Sequence, residues 1–228
     1  TDDNWRIKWG SSFLSEGIEF YTVNSGGMGV AFGGNGLSTP TMVIIPNSGN
    51  VGIGTTAPQS LLDVQGPVGT GAVGAGILTL ATKELTIVDG DELGRINFNA
   101  PLESDGSDAI LAGAAIWAEA DDTFSTTVNS TELVFGTATT SAAVERMRID
   151  SAGNVGIGTA SPVAADSLAR TFQIGNRFVI QDTVSDQSTI ANNAHYDGSW
   201  KYIVNGYANA IRFNGLSSNT GDMTFTTS

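Results

Sequence analysis

The sequence predicts an all-β protein built from repeated glycine-rich modules, and three observations lead to that fold class. Glycine accounts for 29 of the 228 residues, about twice its usual share. Charged residues make up only 14% of the chain, whereas a typical protein carries about 25%. Short β-type runs alternate with Asn-Gly or Asp-Gly pairs, which favour tight hairpin turns. These pairs are Asn35-Gly36, Asp89-Gly90, Asp105-Gly106, Asp197-Gly198, Asn205-Gly206 and Asn214-Gly215.

An internal repeat organises the chain. Residues Gly49–Thr55 read GNVGIGT, and Gly153–Thr159 read the same. Around the two copies, Pro58 corresponds to Pro162 and Ile45 corresponds to Ile149. Each copy follows a β-type run and closes a module. We therefore predict three modules, at residues 1–56, 57–159 and 160–228, the last of which is a candidate tip.

The second module contains the one ambiguous element, Ala109–Ala120. Its alanines favour a helix. However, Ala114, Ile116 and Ala118 alternate with Ala115, Trp117 and Glu119, as the two faces of a half-buried strand do. We predict a strand. In the third module, the pattern predicts a strand at Trp200–Val204, a turn at Asn205-Gly206 and a second strand at Tyr207–Phe213.

The repeated motif alternates apolar residues with glycines, and the bare glycine face needs another backbone packed closely against it. In an extended chain, Val51 and Ile53 point to one face while Gly52 and Gly54 leave the other face bare. Glycine inside a strand is most useful where another backbone or a sharp bend comes close. The second copy repeats the pattern with Val155, Gly156, Ile157 and Gly158. These eight residues are predicted to pack a homotrimer around an axis; the alternative is an ordinary bulge or turn in a monomer.

Aromatic side chains concentrate in the third module, where Tyr196, Trp200, Tyr202 and Tyr207 lie near several asparagines. Such rings offer an apolar face and a polar edge, so they are candidate receptor-binding residues that stack on sugars. Rings of this kind also fill β cores. Alternation places Trp200, Tyr202 and Val204 on one face, which favours packing.

Charge and composition exclude several classes of function. The formal net charge is −13, which disfavours nucleic acid as a partner. No apolar run approaches the roughly 18 residues of a membrane span, so membrane insertion is not expected. Cysteine is absent and His195 is the single histidine, which removes thiolate chemistry and Cys-ligated metals. We expect His195 in a surface loop, and we predict no catalytic residue, cofactor or metal site.

Three enzyme-like or metal-like signals are weak. Gly69–Gly74 fits the dinucleotide-binding spacing G-x-G-x-x-G, but Gly66-Pro67 interrupts the strand that must precede it. Asp89–Glu92 and Asp105–Asp108 hold clustered oxygen donors that fit solvated turns better than a calcium loop. A pair of carboxylates for glycoside cleavage is an open alternative, because acidic residues are abundant.

Several segments resemble a known family. Glu145–Thr159, with the sequence ERMRIDSAGNVGIGT, resembles a segment common in bacteriophage tail fibres and related appendage proteins that carry a C-terminal endosialidase-type chaperone. Asn47–Pro58 followed by Leu61–Val64 is similar to the same segment. Gly90–Phe98 and Ala115–Ala120 are similar to pieces that often precede it.

The resemblance implies an elongated, intertwined homotrimeric β fibre on a virion, acting as a structural subunit and adhesin. Its partners would be other tail proteins and a glycan or protein of the host surface, in an extracellular location. The family's chaperone, which is absent here, cuts itself off just after a serine, so Ser228 is a candidate processing end; an arbitrary chain end is the alternative. A polysaccharide depolymerase tailspike and a bacterial extracellular fibre subunit are the alternative functions.

Overall fold

The computed structural model describes residues 5–7, 17–22, 28–33, 42–45, 48–164, 170–183, 187–197, 199–214 and 222–227. Regular structure in these ranges is β-strand, apart from one 3-10 turn at Gly71–Gly74. The prediction of an all-β protein is therefore confirmed. Within the same ranges, no helix is long and apolar enough to cross a membrane. Ser228 and Asn35-Gly36 lie outside the described residues.

The chain divides into two compact units, Thr1–Thr79 and Leu80–Ser228. Each unit contains one copy of the repeated motif. The boundary falls inside the segment 57–159, which was predicted as the second module; that finer division into three modules remains a prediction.

Unit 1 forms a six-stranded sheet whose spatial order follows the sequence. Neighbouring strands are antiparallel except for the last two, which are parallel. The strands are β1 (Trp5–Ile7), β2 (Gly17–Thr22), β3 (Met28–Gly33), β4 (Met42–Ile44), β5 (Val51–Ile53) and β6 (Leu62–Val64).

Unit 2 contains a ten-stranded sheet in the order β18-β17-β14-β13-β12-β11-β10-β9-β8-β7. The two remaining strands, β15 and β16, form a separate hairpin between β14 and β17. The strands are β7 (Glu92–Asn99), β8 (Ala112–Ala120), β9 (Thr131–Thr137), β10 (Val144–Ile149), β11 (Val155–Ile157), β12 (Thr171–Ile174), β13 (Phe178–Thr183), β14 (Gln187–Asn192), β15 (Ala194–Tyr196), β16 (Trp200–Tyr202), β17 (Asn209–Asn214) and β18 (Asp222–Thr227).

Strand β8 resolves the ambiguity of the alanine-rich run in favour of a strand, as predicted. Ala115 and Trp117 are buried, whereas Ala114, Ile116 and Ala118 are only half-buried. The strand pairs with β7 on one side and β9 on the other. Central placement in a sheet satisfies its backbone groups from both neighbours, which outweighs the modest helix propensity of alanine.

The predicted hairpin across Asn205-Gly206 is wrong in its pairing. Both strands exist in shorter or shifted form, but β16 pairs with β15 and β17 pairs with β14 and β18. The physical reason lies at Val204, whose N–H donates to the side-chain oxygen of Asn193 at 2.8 Å and whose carbonyl accepts from the Asn193 amide nitrogen at 2.9 Å. These bonds end the strand before the Asn-Gly pair.

The glycines of the repeat are explained inside one chain. A Cβ on Gly156 would lie 2.6 Å from the carbonyl oxygen of Thr159, and a Cβ on Gly52 would clash with the carbonyl oxygen of Thr55. The last glycine of each copy turns the chain with a positive φ, 74° at Gly54 and 67° at Gly158. The backbone that approaches the bare face is thus the chain's own, and the neighbouring chain expected there is not needed to explain the glycines.

The two copies differ by one residue in the turn before the motif. Ile44 pairs with Val51 in unit 1, whereas Ile149 pairs with Val155 in unit 2. The N–H of Ile45 donates to Asn50 O at 2.8 Å, and in unit 2 the N–H of Asp150 makes the same bond to Asn154 O at 2.9 Å. The predicted match of Ile45 to Ile149 is therefore wrong: Ile44 occupies the position of Ile149.

One face of the ten-stranded sheet, which we call the closed face, is covered by the chain's own loops and is packed with small and polar residues. Ala115, Trp117, Val134 and Ala143 form one buried cluster. A second cluster consists only of alanines, Ala191, Ala194, Ala208 and Ala210. Between them lie buried polar side chains, which are Asn154, Thr171, Gln173, Gln181 and Thr189.

The opposite face, which we call the open face, carries the large apolar side chains. Strand register aligns them in two rows across the sheet. The first row is Ile96, Ile116, Phe135, Met147, Ile157, Ile174 and Phe178, and the second is Ala118, Leu133, Ile149, Val155, Phe172, Ile180, Ile190, Ile211 and Phe225. Every one of these side chains is half-buried or exposed, and none is charged. The two rows make most of this side apolar, while Asn192 and Asn209 continue the first row after Phe178 and Asp182 lies beside the second row.

Candidate functional site

Two features of unit 2 are candidates for function: the open face and the hairpin of β15 and β16, which we call the aromatic hairpin (residues 194–202). They lie on opposite sides of the ten-stranded sheet. Gln181 and Arg212 belong to the closed face, because they align across the sheet with Thr171 and Thr189. Both side chains contact the aromatic hairpin, which therefore lies over the closed face.

Buried amides fix the aromatic hairpin to the sheet. The side chain of Gln181, 1% exposed, bonds to the backbone of Tyr196 through both its nitrogen and its oxygen. Asn193 holds the base of the hairpin: besides its bonds to Val204, its amide nitrogen donates to Tyr207 O at 3.1 Å. Asn193 adopts a φ of 61°, a left-handed conformation that asparagine tolerates better than most residues.

The structure brings two of the four predicted receptor-binding aromatics together. The rings of Tyr196 and Trp200 pack edge to face with centroids 5.6 Å apart. The guanidinium of Arg212 lies 4.8 Å from the centroid of the Trp200 ring and 6.0 Å from that of Tyr196, which is cation–π geometry. Trp200 is nevertheless 40% exposed. It therefore packs on the sheet and also presents surface to solvent.

The other two predicted aromatics lie further out. Tyr202 is two residues from Trp200 on the same face of the hairpin and is 53% exposed, whereas Tyr207 lies outside the hairpin and is 86% exposed. Tyr196 and Trp200 therefore pack against each other and Arg212, whereas Tyr202 and Tyr207 are mainly exposed to solvent. Arg212 was missed by the sequence analysis, because an arginine on an alternating strand gives no local sign of the ring above it.

His195 lies in strand β15 with its side chain only 11% exposed, so the expectation of a surface-loop histidine is wrong. Its Nε2 lies 3.9 Å from Asp197 Oδ2, which also accepts from Lys201 Nζ at 2.5 Å. Burial lowers the pKa of His195, an effect that Lys201 increases and Asp197 opposes. The hydrogen bond from Lys201 lowers the pKa of Asp197. The histidine is thus held neutral beside an ion pair.

A second group of charges lies buried on the closed face. Arg148 forms ion pairs with Glu132 and Glu145, and the side chains of Arg148 and Glu132 are 12% and 6% exposed. Burial raises the pKa of Glu132 even though Arg148 opposes the shift. Hydrogen bonding to Glu145 and Glu132 raises the pKa of Arg148 against the opposing effect of burial. Unit 1 has Val43 at the matching strand position, so the repeat conserves the backbone and not this ion cluster.

The predicted trimer-packing residues separate into two groups. Val155 and Ile157 belong to the open face, and Val51 and Ile53 occupy the corresponding side of the unit 1 sheet, in register with Ile44 and Met42. Gly52 and Gly156 are buried against Thr55 and Thr159 of the same chain. Gly54 and Gly158 turn the chain after the strand. Only the apolar members of the motif face outward.

Residues that suggested a metal or a dinucleotide form turns. Asp89-Gly90 is a turn in which Gly90 has a φ of 87°. Across the described part of the chain, no three or more His, Cys, Asp or Glu side chains group closely enough to hold a metal ion. Gly71–Gly74 is a single 3-10 turn, too short to present the helix N-terminus that binds a pyrophosphate.

No protein-family model matches the chain, and no curated protein matches it. Function must therefore be argued from the surfaces themselves. A sheet face with two uncharged apolar rows suits association with another apolar surface. Exposed aromatic rings beside a fixed cation suit stacking and hydrogen bonding to a polar ligand.

Proposed function

We propose that the chain is a structural subunit of a homotrimeric β fibre that belongs to a virus tail appendage and attaches to a host surface. The observation that carries the trimer is the open face. Its two rows of large, uncharged side chains are uncovered, whereas the chain's own core is built largely from alanine, valine and buried amides. Monomeric proteins seldom leave such a patch in water.

Charge supports self-association through this face in particular. The chain carries a formal charge of −13, so identical copies repel one another wherever acidic surfaces meet. The two rows of the open face contain no charged residue, so contact along them brings no carboxylates together; a carboxylate of this face, Asp182, lies beside the second row in line with Ser188 and Phe213. Two further copies of the chain are thus the occupants that we propose for the open face.

Attachment is assigned to the other side of the sheet. If the open faces of three copies are turned towards the trimer axis, the closed face and its aromatic hairpin point outward. Trp200 and Tyr202 would then be displayed on the surface of the fibre in three copies, which increases avidity for a repetitive host glycan or surface protein. The resemblance of Glu145–Thr159 to tail-fibre segments supports a virion location outside the cell, with other tail proteins as neighbours. In this proposal the chain is not an enzyme and binds neither nucleic acid nor the membrane interior.

The native mass tests the trimer. Light scattering on a size-exclusion column should give the mass of three chains, and the trimer should resist mild heating in detergent. Ile180→Asp should produce a folded monomer, because Ile180 is 41% exposed in a single chain but would place a charge inside the interface. Leu102→Asp is the matched control, since Leu102 is 95% exposed in the turn between β7 and β8 and should leave the mass unchanged. A compact wild-type monomer would overturn the proposal.

Attachment is tested with a panel of immobilised bacterial surface polysaccharides and intact cells. We expect Trp200→Ala and Tyr202→Ala to weaken binding while the mass and circular dichroism stay those of the wild type. Leu102→Ala is the control. Binding that survives both aromatic substitutions would remove the hairpin from the attachment surface. A fall in polysaccharide viscosity during incubation would instead favour a depolymerase.

A further inference from the structure

The first residues of unit 2, 80–88, carry apolar side chains that their own chain does not cover. We call them the entry segment. It contains no helix or strand and leads into β7. Leu80, Leu85 and Val88 are 45%, 96% and 42% exposed. Three such residues in nine need an explanation, because ordinary loops carry polar residues at their tips.

Local hydrogen bonds give the entry segment a defined shape. Glu84 Oε1 accepts from the N–H groups of Leu85 at 2.9 Å and Thr86 at 3.3 Å, and the hydroxyl oxygen of Thr82 accepts from the Glu84 N–H at 3.1 Å. The end of the segment is tied down by the bond from Phe124 N to Ile87 O at 3.1 Å. Leu85 is therefore presented at a bend that side-chain hydrogen bonds hold in shape.

The entry segment continues the open face beyond its β7 end. A Cβ on Gly94 would lie 2.7 Å from the carbonyl oxygen and 2.8 Å from the Cβ of Leu80. Gly94 pairs with Ala118, the first residue of the second row. Leu80 thus lies on the open face at its margin.

The other end of the open face is equally bare. There β17 and β18 present Phe213, Met223 and Phe225, which are 40%, 57% and 71% exposed. Phe213 pairs with Met223, and Phe225 pairs with Ile211 of the second row. Each copy therefore carries two different exposed apolar patches, one at each end of the same sheet.

Two different patches are what a closed ring of identical subunits uses, because each contact joins one patch to the other patch of the next copy. We propose that the entry segment of one copy packs against the β17–β18 end of the open face of the next copy, with Leu85 contacting Phe213, Met223 and Phe225. This inference rests on the proposed trimer and specifies which surfaces join its chains. It makes the chains intertwined, since a segment of each copy covers part of another.

The absence of cysteine from the sequence allows a direct test by cross-linking. In the double variant Leu85→Cys/Met223→Cys, mild oxidation or a short bifunctional maleimide should join the chains into covalent trimers on non-reducing denaturing gels. Neither single variant should cross-link. The matched control is Leu102→Cys/Met223→Cys, because Leu102 is as exposed as Leu85 but lies outside the entry segment, and it should stay uncross-linked.

The outcomes separate this inference from the proposed function. A wild-type trimer whose double variant gives no covalent trimers, or whose Leu85→Cys variant cross-links alone, overturns the placement of the entry segment and leaves the trimer intact. A wild-type monomer overturns both. As an independent measurement, Leu85→Ser should lower the thermal midpoint of the trimer while Leu102→Ser leaves it unchanged; equal midpoints for the two variants count against the contact.

Discussion

Gln181 binds both backbone polar groups of Tyr196. Its Nε2 donates to the tyrosine carbonyl at 2.7 Å, and its Oε1 accepts from the tyrosine N–H at 2.9 Å. Tyr196 already pairs with Trp200 on one side of β15, so the side-chain amide takes the place of a second neighbouring strand on the other side. Because Gln181 lies within the ten-stranded sheet and is buried, this pair of bonds fixes the aromatic hairpin relative to the sheet.

Replacing Gln181 should detach the aromatic hairpin. Gln181→Leu keeps the approximate volume but leaves the N–H and C=O of Tyr196 without their partner, at a cost of about 2–5 kcal/mol in the free energy of unfolding. Urea unfolding measures the loss, and hydrogen exchange at the Tyr196 amide should accelerate. Gln59→Leu is the control, since Gln59 is an exposed amide bonded to the nearby Ala57 carbonyl, and it should change stability by less than about 0.5 kcal/mol. Unchanged exchange at Tyr196 would show that the two bonds do not hold the hairpin.

The glycines of the repeat should respond differently to the same substitution. Gly156→Ala places a methyl against the carbonyl oxygen of Thr159, backbone that cannot yield without moving the turn, so we expect a loss of about 2–3 kcal/mol. Gly158→Ala meets open space but keeps a φ of 67°, which costs about 1–2 kcal/mol. Thermal and urea unfolding distinguish the two effects.

Gly113 in β8 provides the matched control for both substitutions. A Cβ there would be 3.7 Å from the carbonyl oxygen of Phe98, an ordinary contact. Alanine also reduces the entropy of the unfolded chain, so Gly113→Ala should be neutral or stabilising by up to about 1 kcal/mol. If Gly156→Ala were as mild as Gly113→Ala, the turn at Thr159 would not be what requires the glycine.

Strand identity could be predicted from the sequence, because alternation and turn residues are local. The Ala109–Ala120 run shows this, since its period-two pattern correctly outweighed alanine propensity. The identity of GNVGIGT in both copies likewise predicted equivalent structure at β5 and β11. The one-residue error at Ile45 arose because a turn can change length without changing the motif that follows it.

Strand pairing and the choice of covered face could not be predicted, because they depend on distant residues. The Asn205-Gly206 pair is a good hairpin signal, yet bonds from Asn193 to Val204 redirect the chain, and Ile211 aligns with Ile190 of β14 instead. Alternation showed that β8 has two faces but not which face the chain's own loops would cover. The contact between Arg212 and Trp200 could not be predicted either, because no local sequence pattern links the two residues.

The ion cluster on the closed face should make stability depend on pH once its cation is removed. Arg148→Met leaves Glu132 buried near Asp121 and Glu119, the two acidic groups that raise its pKa further. Loss of one partner of a buried pair costs about 3–5 kcal/mol while the other stays charged. With a native pKa above the unfolded value, Glu132 binds its proton in the native state first, so stability falls as pH rises above about 4.5.

Urea unfolding of Arg148→Met at several pH values checks this sign. The loss relative to wild type should be largest at pH 7 and should shrink as the pH approaches 4.5, the ordinary pKa of glutamate. Arg148→Met/Glu132→Gln is the control, since it removes the charge that titrates and should flatten the pH dependence. An equal loss at pH 4.5 and pH 7 would attribute the effect to packing.

His195 should make the aromatic hairpin sensitive to mild acid. Burial lowers its pKa below the usual 6.5, so the unfolded state binds a proton at a higher pH than the native state does. Its contribution to stability is therefore complete above about pH 6.5 and is lost as the pH falls through that value toward the native pKa. Amide protection along β15 and β16, which is the exchange rate corrected for the slower intrinsic exchange of amides in acid, should fall between pH 7 and pH 5, and Trp200 fluorescence should shift as its contact with Arg212 loosens. His195→Gln cannot take up the proton and should abolish both changes. Glu132 titrates in the opposite direction, because its contribution to stability rises as the pH falls, so a loss of amide protection on acidification is assigned to the histidine.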